Sequence, residues 1–151
     1  MKIFNLIFII LFVIICNSIF QHGCDSISNS SEGDPEVNLI LDNYSYFVGD
    51  TLTGKIEVTN NSDEFKSFSF GSACQYGIRI KDTNTIYFEL PRQCAAVLTE
   101  LHLKSGETRS FNLHFKLMDQ DYKDLNTGHY TVQAFLLIEN SDIAEKIIEI
   151  K

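Results

Sequence analysis

The sequence predicts an all-β protein, an antiparallel β-sandwich of about eight or nine strands. Three observations predict it. Apolar and polar residues alternate with period two in several short runs after residue 36, as half-buried strands require. Turn signals separate those runs about every 8–15 residues, the spacing of a sandwich. No stretch after the N-terminal apolar segment carries a convincing helical period. A closed barrel is the alternative. With 151 residues, 44% of them hydrophobic, the chain holds one core plus a small appendage.

The elements read in order as follows. VNLILD places Val37, Leu39 and Leu41 on one face. FVGDTL holds a Gly-Asp turn, and LTGKIEVTN alternates Leu52, Ile56 and Val58 until NNSDE breaks it. FKSFSF alternates Phe65, Phe68 and Phe70 with one slip. A hairpin between Cys74 and Cys94 comes next. VLTELHL alternates and ends in the turn KSGE; TRSFNLHFKL then sets Phe111, Leu113, Phe115 and Leu117 on one face. DQDYKDLNTG is a polar loop. HYTVQAFLLIEN is a long strand, with Tyr130, Val132, Ala134 and Leu136 facing one way. IAEKIIEI reads as a last strand because isoleucine dominates it, with a helical turn as the rival.

The N-terminus is a different material. Met1-Lys2 precede an apolar run whose unbroken part, Leu6 to Cys16, is 11 residues long. A secretory signal has an apolar region of about 7–15 residues after a basic one; a spanning helix needs about 20. An export signal over residues 1–23 is the expectation, with an uncleaved anchor as the alternative. Cys24 follows a small residue, Gly23, and opens the polar tether DSISNSSEGDPE over residues 24–36. This resembles a bacterial lipoprotein junction, in which the cysteine after the cut carries the lipid, although His22 and Gln21 depart from it. Cys24 is therefore the expected lipid attachment. The rival is an ordinary cut after Ser18, leaving a secreted soluble protein; Asn29, Asn43 and Asn60 would then be candidate glycan acceptors.

Four cysteines are present: Cys16, Cys24, Cys74 and Cys94. Cys16 leaves with the signal, so three remain in an oxidising compartment. If Lys81 to Tyr87 form a hairpin tip centred on Asn84, positions equidistant from Asn84 face each other. Asp82 then faces Ile86, Ile80 faces Phe88, Ile78 faces Leu90, and Cys74 faces Cys94. The register that pairs apolar with apolar also pairs the sulfurs, within the roughly 4.4–6.8 Å Cα spacing a disulfide needs. Pro91 bends the second strand or makes it an edge. Two buried thiols, or a metal pair, are the competing readings. Cys24 is left alone, as lipidation would require.

Charge excludes some functions. Without residues 1–23 the chain has 11 basic and 20 acidic side chains, a net −9. No basic cluster offers itself to nucleic acid or to anionic lipid. Nothing presents a serine on a nucleophile turn: Ser105 sits in KSGE with no histidine nearby in sequence. His102, His114 and Met118 suit copper by ligand type, with the two histidines on adjacent predicted strands, but a third firm ligand is missing. Asp119, Asp121 and Asp124 alternate like a calcium loop, yet the sixth place is Asp124 instead of glycine and the twelfth is Tyr130 instead of glutamate. The expectation is a protein that is not an enzyme, with no cofactor, no metal and no small-molecule substrate.

From about Asn60 onward the sequence resembles the intracellular proteinase inhibitor family, the BsuPI domain. FSFGSACQYGIRIKD resembles that family's F-P-S-G-Q-x-Y-D strand through Phe70, Ser72 and Tyr76. TIYFEL stands where the family has a hydrophobic segment with tryptophan. LHLKSGETRSFNLHF resembles L-x-x-G-E-x-x-x-F through Leu103, Gly106, Glu107 and Phe111. DLNTGHYTVQAFL resembles L-x-x-G-x-Y-x-V-x-A through Leu125, Gly128, Tyr130, Val132 and Ala134. Gly71, Cys74 and Gly77 depart from the pattern. The resemblance implies an immunoglobulin-like sandwich and inhibition of a subtilisin-type serine protease. Each matched position also has a structural reason: Phe70, Phe111 and Tyr130 as core, Gly106 and Gly128 as turn residues.

The functional expectation is an exported, lipid-anchored, protein-binding sandwich at the cell envelope or outer surface, with a serine protease as partner. The candidate contacts are the hairpin tip Lys81, Asp82, Thr83, Asn84 and Thr85, and the loop Gln120 to Thr127. The alternative is a structural or adhesion module of the envelope with no inhibitory activity.

Overall fold

A computed structural model describes residues 34–151. The export signal, Cys24 and Asn29 lie outside the described residues. Period-two patterning becomes ten strands: β1 (Glu36–Leu41), β2 (Ser45–Tyr46), β3 (Thr51–Thr59), β4 (Lys66–Phe70), β5 (Tyr76–Lys81), β6 (Ile86–Leu90), β7 (Thr99–Leu103), β8 (Thr108–Lys116), β9 (Gly128–Leu136) and β10 (Ile143–Ile150). They form a three-stranded sheet in the order β1-β3-β8, a five-stranded sheet in the order β2-β10-β9-β5-β6, and the pair β4-β7. The fold is all-β, as expected. Among the described residues no helix is long and apolar enough to cross a membrane.

One strand and one pairing depart from the expectation. β2 has two residues, too few for alternation to show, and it pairs in parallel with β10. Its anchor is Tyr46, 4% exposed, whose hydroxyl donates to the Asn43 carbonyl at 2.8 Å. The ambiguous IAEKIIEI is a strand, antiparallel to β9 from Ile143↔Phe135 to Ile150↔Gly128.

Alternation decides what fills the space between the sheets. Leu39, Leu52, Ile56 and Val58 of the three-stranded sheet are buried, as are Ile78, Ile80, Val132, Leu136 and Ile148 of the five-stranded one. Each such side chain contributes roughly 1.5–3 kcal/mol by leaving water. Aromatic rings bridge the layers: Tyr76 meets Phe111 at 5.0 Å between centroids, and Phe88 stacks on Phe115 at 5.4 Å. Phe70, Leu101 and Leu103 of β4 and β7 complete the core. Phe111, expected in the core, is half-buried against it. Phe65, expected on the face of Phe68 and Phe70, precedes β4 and is 61% exposed, stacked on His102.

The turns follow their residue chemistry. Gly106 in KSGE has φ of 69°, and the Glu107 amide donates to the Lys104 carbonyl at 2.9 Å. The Tyr130 hydroxyl donates to the carbonyl of Asn126, four residues upstream, at 3.0 Å. This is the corner that immunoglobulin-like sandwiches use at the start of a core strand. Asn60 is 2% exposed. Its side-chain amide donates to the carbonyls of Glu64, Leu103 and Lys104. It is therefore a buried bracket between two connections, which corrects its reading as a glycan acceptor.

Gly54 marks a close approach of β3 to β1. A Cβ built there falls on the Ile40 carbonyl oxygen, far inside contact distance, and 3.0 Å from the Leu41 Cα. Backbone cannot yield as a side-chain tip does, so Gly54→Ala should destabilise the domain by roughly 2 kcal/mol or more. Denaturant unfolding checks this; an unchanged midpoint would contradict the packing of β1 on β3.

Candidate functional site

Three exposed connections border the five-stranded sheet, and each is held by a different device. The first is the hairpin tip between β5 and β6. The predicted register holds at Ile78↔Leu90 and Ile80↔Phe88, but a bulge at Ile80/Lys81 shifts the end, so Lys81 pairs with Ile86. This corrects the expected Asp82–Ile86 pair. The reason is Asp82 itself, whose carboxylate accepts the amides of Asn84 at 2.9 Å and Thr85 at 2.8 Å. Its other oxygen accepts the Tyr87 hydroxyl at 2.8 Å. Tyr87 in turn packs edge-on against Tyr130, 5.4 Å between centroids. Lys81 lies 3.8 Å from Glu145 on β10. Thr83, Asn84 and Thr85 are exposed.

The second connection, Gln120 to Thr127, leaves β8 and returns to β9. The Asp119 carboxylate accepts the amides of Asp121 and Lys123. Met118 bridges Asp124, and Leu125 is buried. Tyr122 sits at φ 65°, a conformation a non-glycine residue adopts only when held. The hold is Arg92: its guanidinium donates to the carbonyls of Asp119 and Gln120 at 3.2 Å each and lies 4.3 Å from the Tyr122 ring centroid. The same guanidinium stands 5.4 Å from the Phe88 ring. Lys116 pairs with Asp124 at 2.6 Å and Lys123 with Asp121 at 3.6 Å. These carboxylates are taken up by amides and lysines, so the calcium-like spacing has a structural use.

The third connection, Ala95 to Leu98, was missed from sequence, although the disulfide that precedes it was expected. Cys74 and Cys94 are joined, with Cα atoms 5.7 Å apart. The bond lies beyond the ends of β5 and β6 and fastens the base of the hairpin, not its tip. β6 stops at Leu90, before Pro91, on the free edge of the sheet. The alternation in VLTELHL suggested a strand from Val97, yet β7 begins at Thr99. Val97 and Leu98 are left outside it, 56% and 84% exposed. Two observations could have marked this: apolar residues directly after a bridged cysteine, and the strand-demoting Pro91 just before.

The other candidate ligands do not converge. His102 lies on β7 beside Glu100 at 3.3 Å, and His114 is exposed on β8. β7 pairs with β4 and β8 with β3, so the two histidines are not on neighbouring strands as expected. Among the described residues no three of His, Cys, Asp or Glu gather as metal ligands would. Ser105 lies in the exposed KSGE turn.

These loops surround a sandwich whose matched blocks lie where the resemblance put them. The model of the intracellular proteinase inhibitor family, BsuPI, matches residues 39–141. The chain belongs to that family. The match takes in the second half of β1 and all of β3, upstream of the blocks that carry the resemblance. No curated protein matches the chain. Among solved structures, the chain is similar to the sporulation control protein Spo0M of Bacillus subtilis, at 16% identity and TM-score 0.47 over 78% of this chain and 49% of that one. It is similar to a CARDB domain from Pyrococcus furiosus solved with two metal ions, at 12% identity and TM-score 0.43 over 80% and 97%. A β-glucosidase from Listeria innocua aligns at 15% identity and TM-score 0.45, over 80% of this chain but 16% of the enzyme. The chain thus spans about a sixth of the glucosidases' length.

Asp82 supplies a test of the tip. Its carboxyl is held below the ordinary value of 3.8, first by the Asn84 amide, then by the Tyr87 hydroxyl and the Thr85 amide. The same hydrogen bond pushes the Tyr87 hydroxyl up. A carboxylate with a depressed folded pKa adds stability above its unfolded pKa and loses it as pH falls through the folded value. The tip should stay braced at neutral pH and loosen only in acid below the ordinary value. Amide-exchange protection at Asn84 and Thr85 should fall on acidification in the wild type and be weak and pH-independent in Asp82→Asn. Protection that stays flat with pH in the wild type would contradict this bracing.

Proposed function

We propose that this protein is an exported inhibitor of a subtilisin-type serine protease, tied to a membrane by a lipid on Cys24. The observation that carries the reading is the family match over residues 39–141. Two features support it. The exposed connections are held by specific interactions, which lowers the ordering cost of binding a large partner. The tether over residues 24–36 also meets the sandwich at the start of β1. Glu36 pairs with Thr59, which pairs with Thr108, at one end of the three-stranded sheet; Thr51↔Lys116 lies at the other. The loop Gln120 to Thr127 follows that far end, and the tip Lys81 to Thr85 closes the hairpin beside the start of β9. An anchored chain would present both away from its point of attachment.

The full chain titrated against a subtilisin-type protease should remove its activity in a saturable, stoichiometric manner. Digestion of the chain with no loss of protease activity would reject the reading. Cys24→Ser should move the protein from the membrane fraction to the soluble one; persistence in the membrane would reject the lipid and favour the uncleaved apolar helix.

A further inference from the structure

We infer that Ala95–Leu98 is the segment that enters the protease cleft, with Leu98 as the side chain for its primary pocket. The target would then be a protease with an apolar pocket. This rests on the proteinase-inhibitor reading and deepens it.

A protease cleft takes an exposed stretch of backbone with one protruding side chain. An inhibitor must offer this on a frame that does not move. The segment is fastened at both ends to the same short stretch of chain, residues 72–74. On the N-terminal side Cys94 is bonded to Cys74, and the Ala73 amide donates to the Ala95 carbonyl at 3.0 Å. On the C-terminal side the Thr99 hydroxyl donates to the Ser72 carbonyl at 2.7 Å. The Ser72 hydroxyl accepts the Cys74 amide at 3.2 Å, which fixes the anchor itself. Between these clamps the chain bends at Ala96, where the Val97 amide donates to the Ala95 carbonyl at 2.9 Å, and runs into β7.

The side chains fit the same use. Ala95 and Ala96 are small and exposed. Leu98 is 84% exposed, the highest value for a large hydrophobic residue among the described residues. A leucine held in water on a clamped loop gains from any apolar pocket it enters. The other two connections lack this. The tip presents Thr83 and Asn84 on a tight turn folded onto Asp82, and the ring of Tyr122 already stacks with Arg92. Arg92 joins the Asp119 and Gln120 carbonyls and the Tyr122 ring to the start of the clamped loop, so those residues form its rim.

The test uses the full chain and three purified proteases, of subtilisin, chymotrypsin and trypsin type. Leu98 is exposed, so its substitution should leave the thermal unfolding midpoint unchanged, which serves as the folding check. Wild type should inhibit the first two. Leu98→Asp should weaken that inhibition roughly 30-fold or more, the size of an interface hot spot. Leu98→Arg should move inhibition toward the trypsin type, whose pocket is acidic, and Asn84→Ala should change nothing. Full inhibition by both Leu98 variants, above all with loss in Asn84→Ala, would overturn the inference and leave the inhibitor reading standing. A wild type that inhibits none of the three would overturn both.

Discussion

The Cys74–Cys94 bond holds together the part of the molecule that no sheet holds. Ladder hydrogen bonds account for β5 up to Tyr76 and for β6 down to Leu90. Beyond those residues the chain leaves the sandwich on both sides, and strand pairing resumes only at Phe70↔Thr99. Joining positions 20 apart removes loop freedom from the unfolded chain, a stabilisation of roughly 3 kcal/mol in the chain-entropy view. Its local effect is larger in consequence: it turns residues 92–98 from a free surface loop into a clamped one.

Around that bond the smaller devices work by the same logic. Asp82 takes up amides that a three-residue tip would otherwise leave to water, and its partner Tyr87 leans on Tyr130. Tyr130 sits in the core, and its hydroxyl holds Asn126 of the next loop. Arg92 ties the clamped loop to Gln120 and Tyr122. The connections therefore share supports, and the supports end in core residues. Function in such a fold lies in what the loops present; the sheets supply rigidity. That division suits a binder, since little ordering remains to be done when the partner arrives.

The sandwich was legible because half-buried strands write their burial into every second residue. Leu39, Leu52, Ile80, Val132 and Leu136 all declared their face. The disulfide was legible for a related reason: the register that matches Ile78 with Leu90 carries Cys74 to Cys94. Local chemistry escaped the pattern. A carboxylate that accepts two amides bulged the tip, β2 was too short to alternate, and Asn60 looked like a surface motif because its three carbonyl partners are distant in sequence or outside any strand. Val97 and Leu98 escaped for a deeper reason. Apolar residues leading into a strand look the same whether or not a neighbour covers them, and only the third dimension shows that nothing does.

The measurement that tests this account most directly is limited proteolysis of the full chain beside its Cys74→Ser/Cys94→Ser variant, with cut sites mapped by mass. If the bond is what clamps the loop, the variant should be cut within residues 92–98 at least about tenfold faster than the oxidised chain, roughly 1.4 kcal/mol of lost restraint, while the strands stay protected. Equal cutting rates in that segment would show that the loop owes its shape to something else, and the account would fail at its centre.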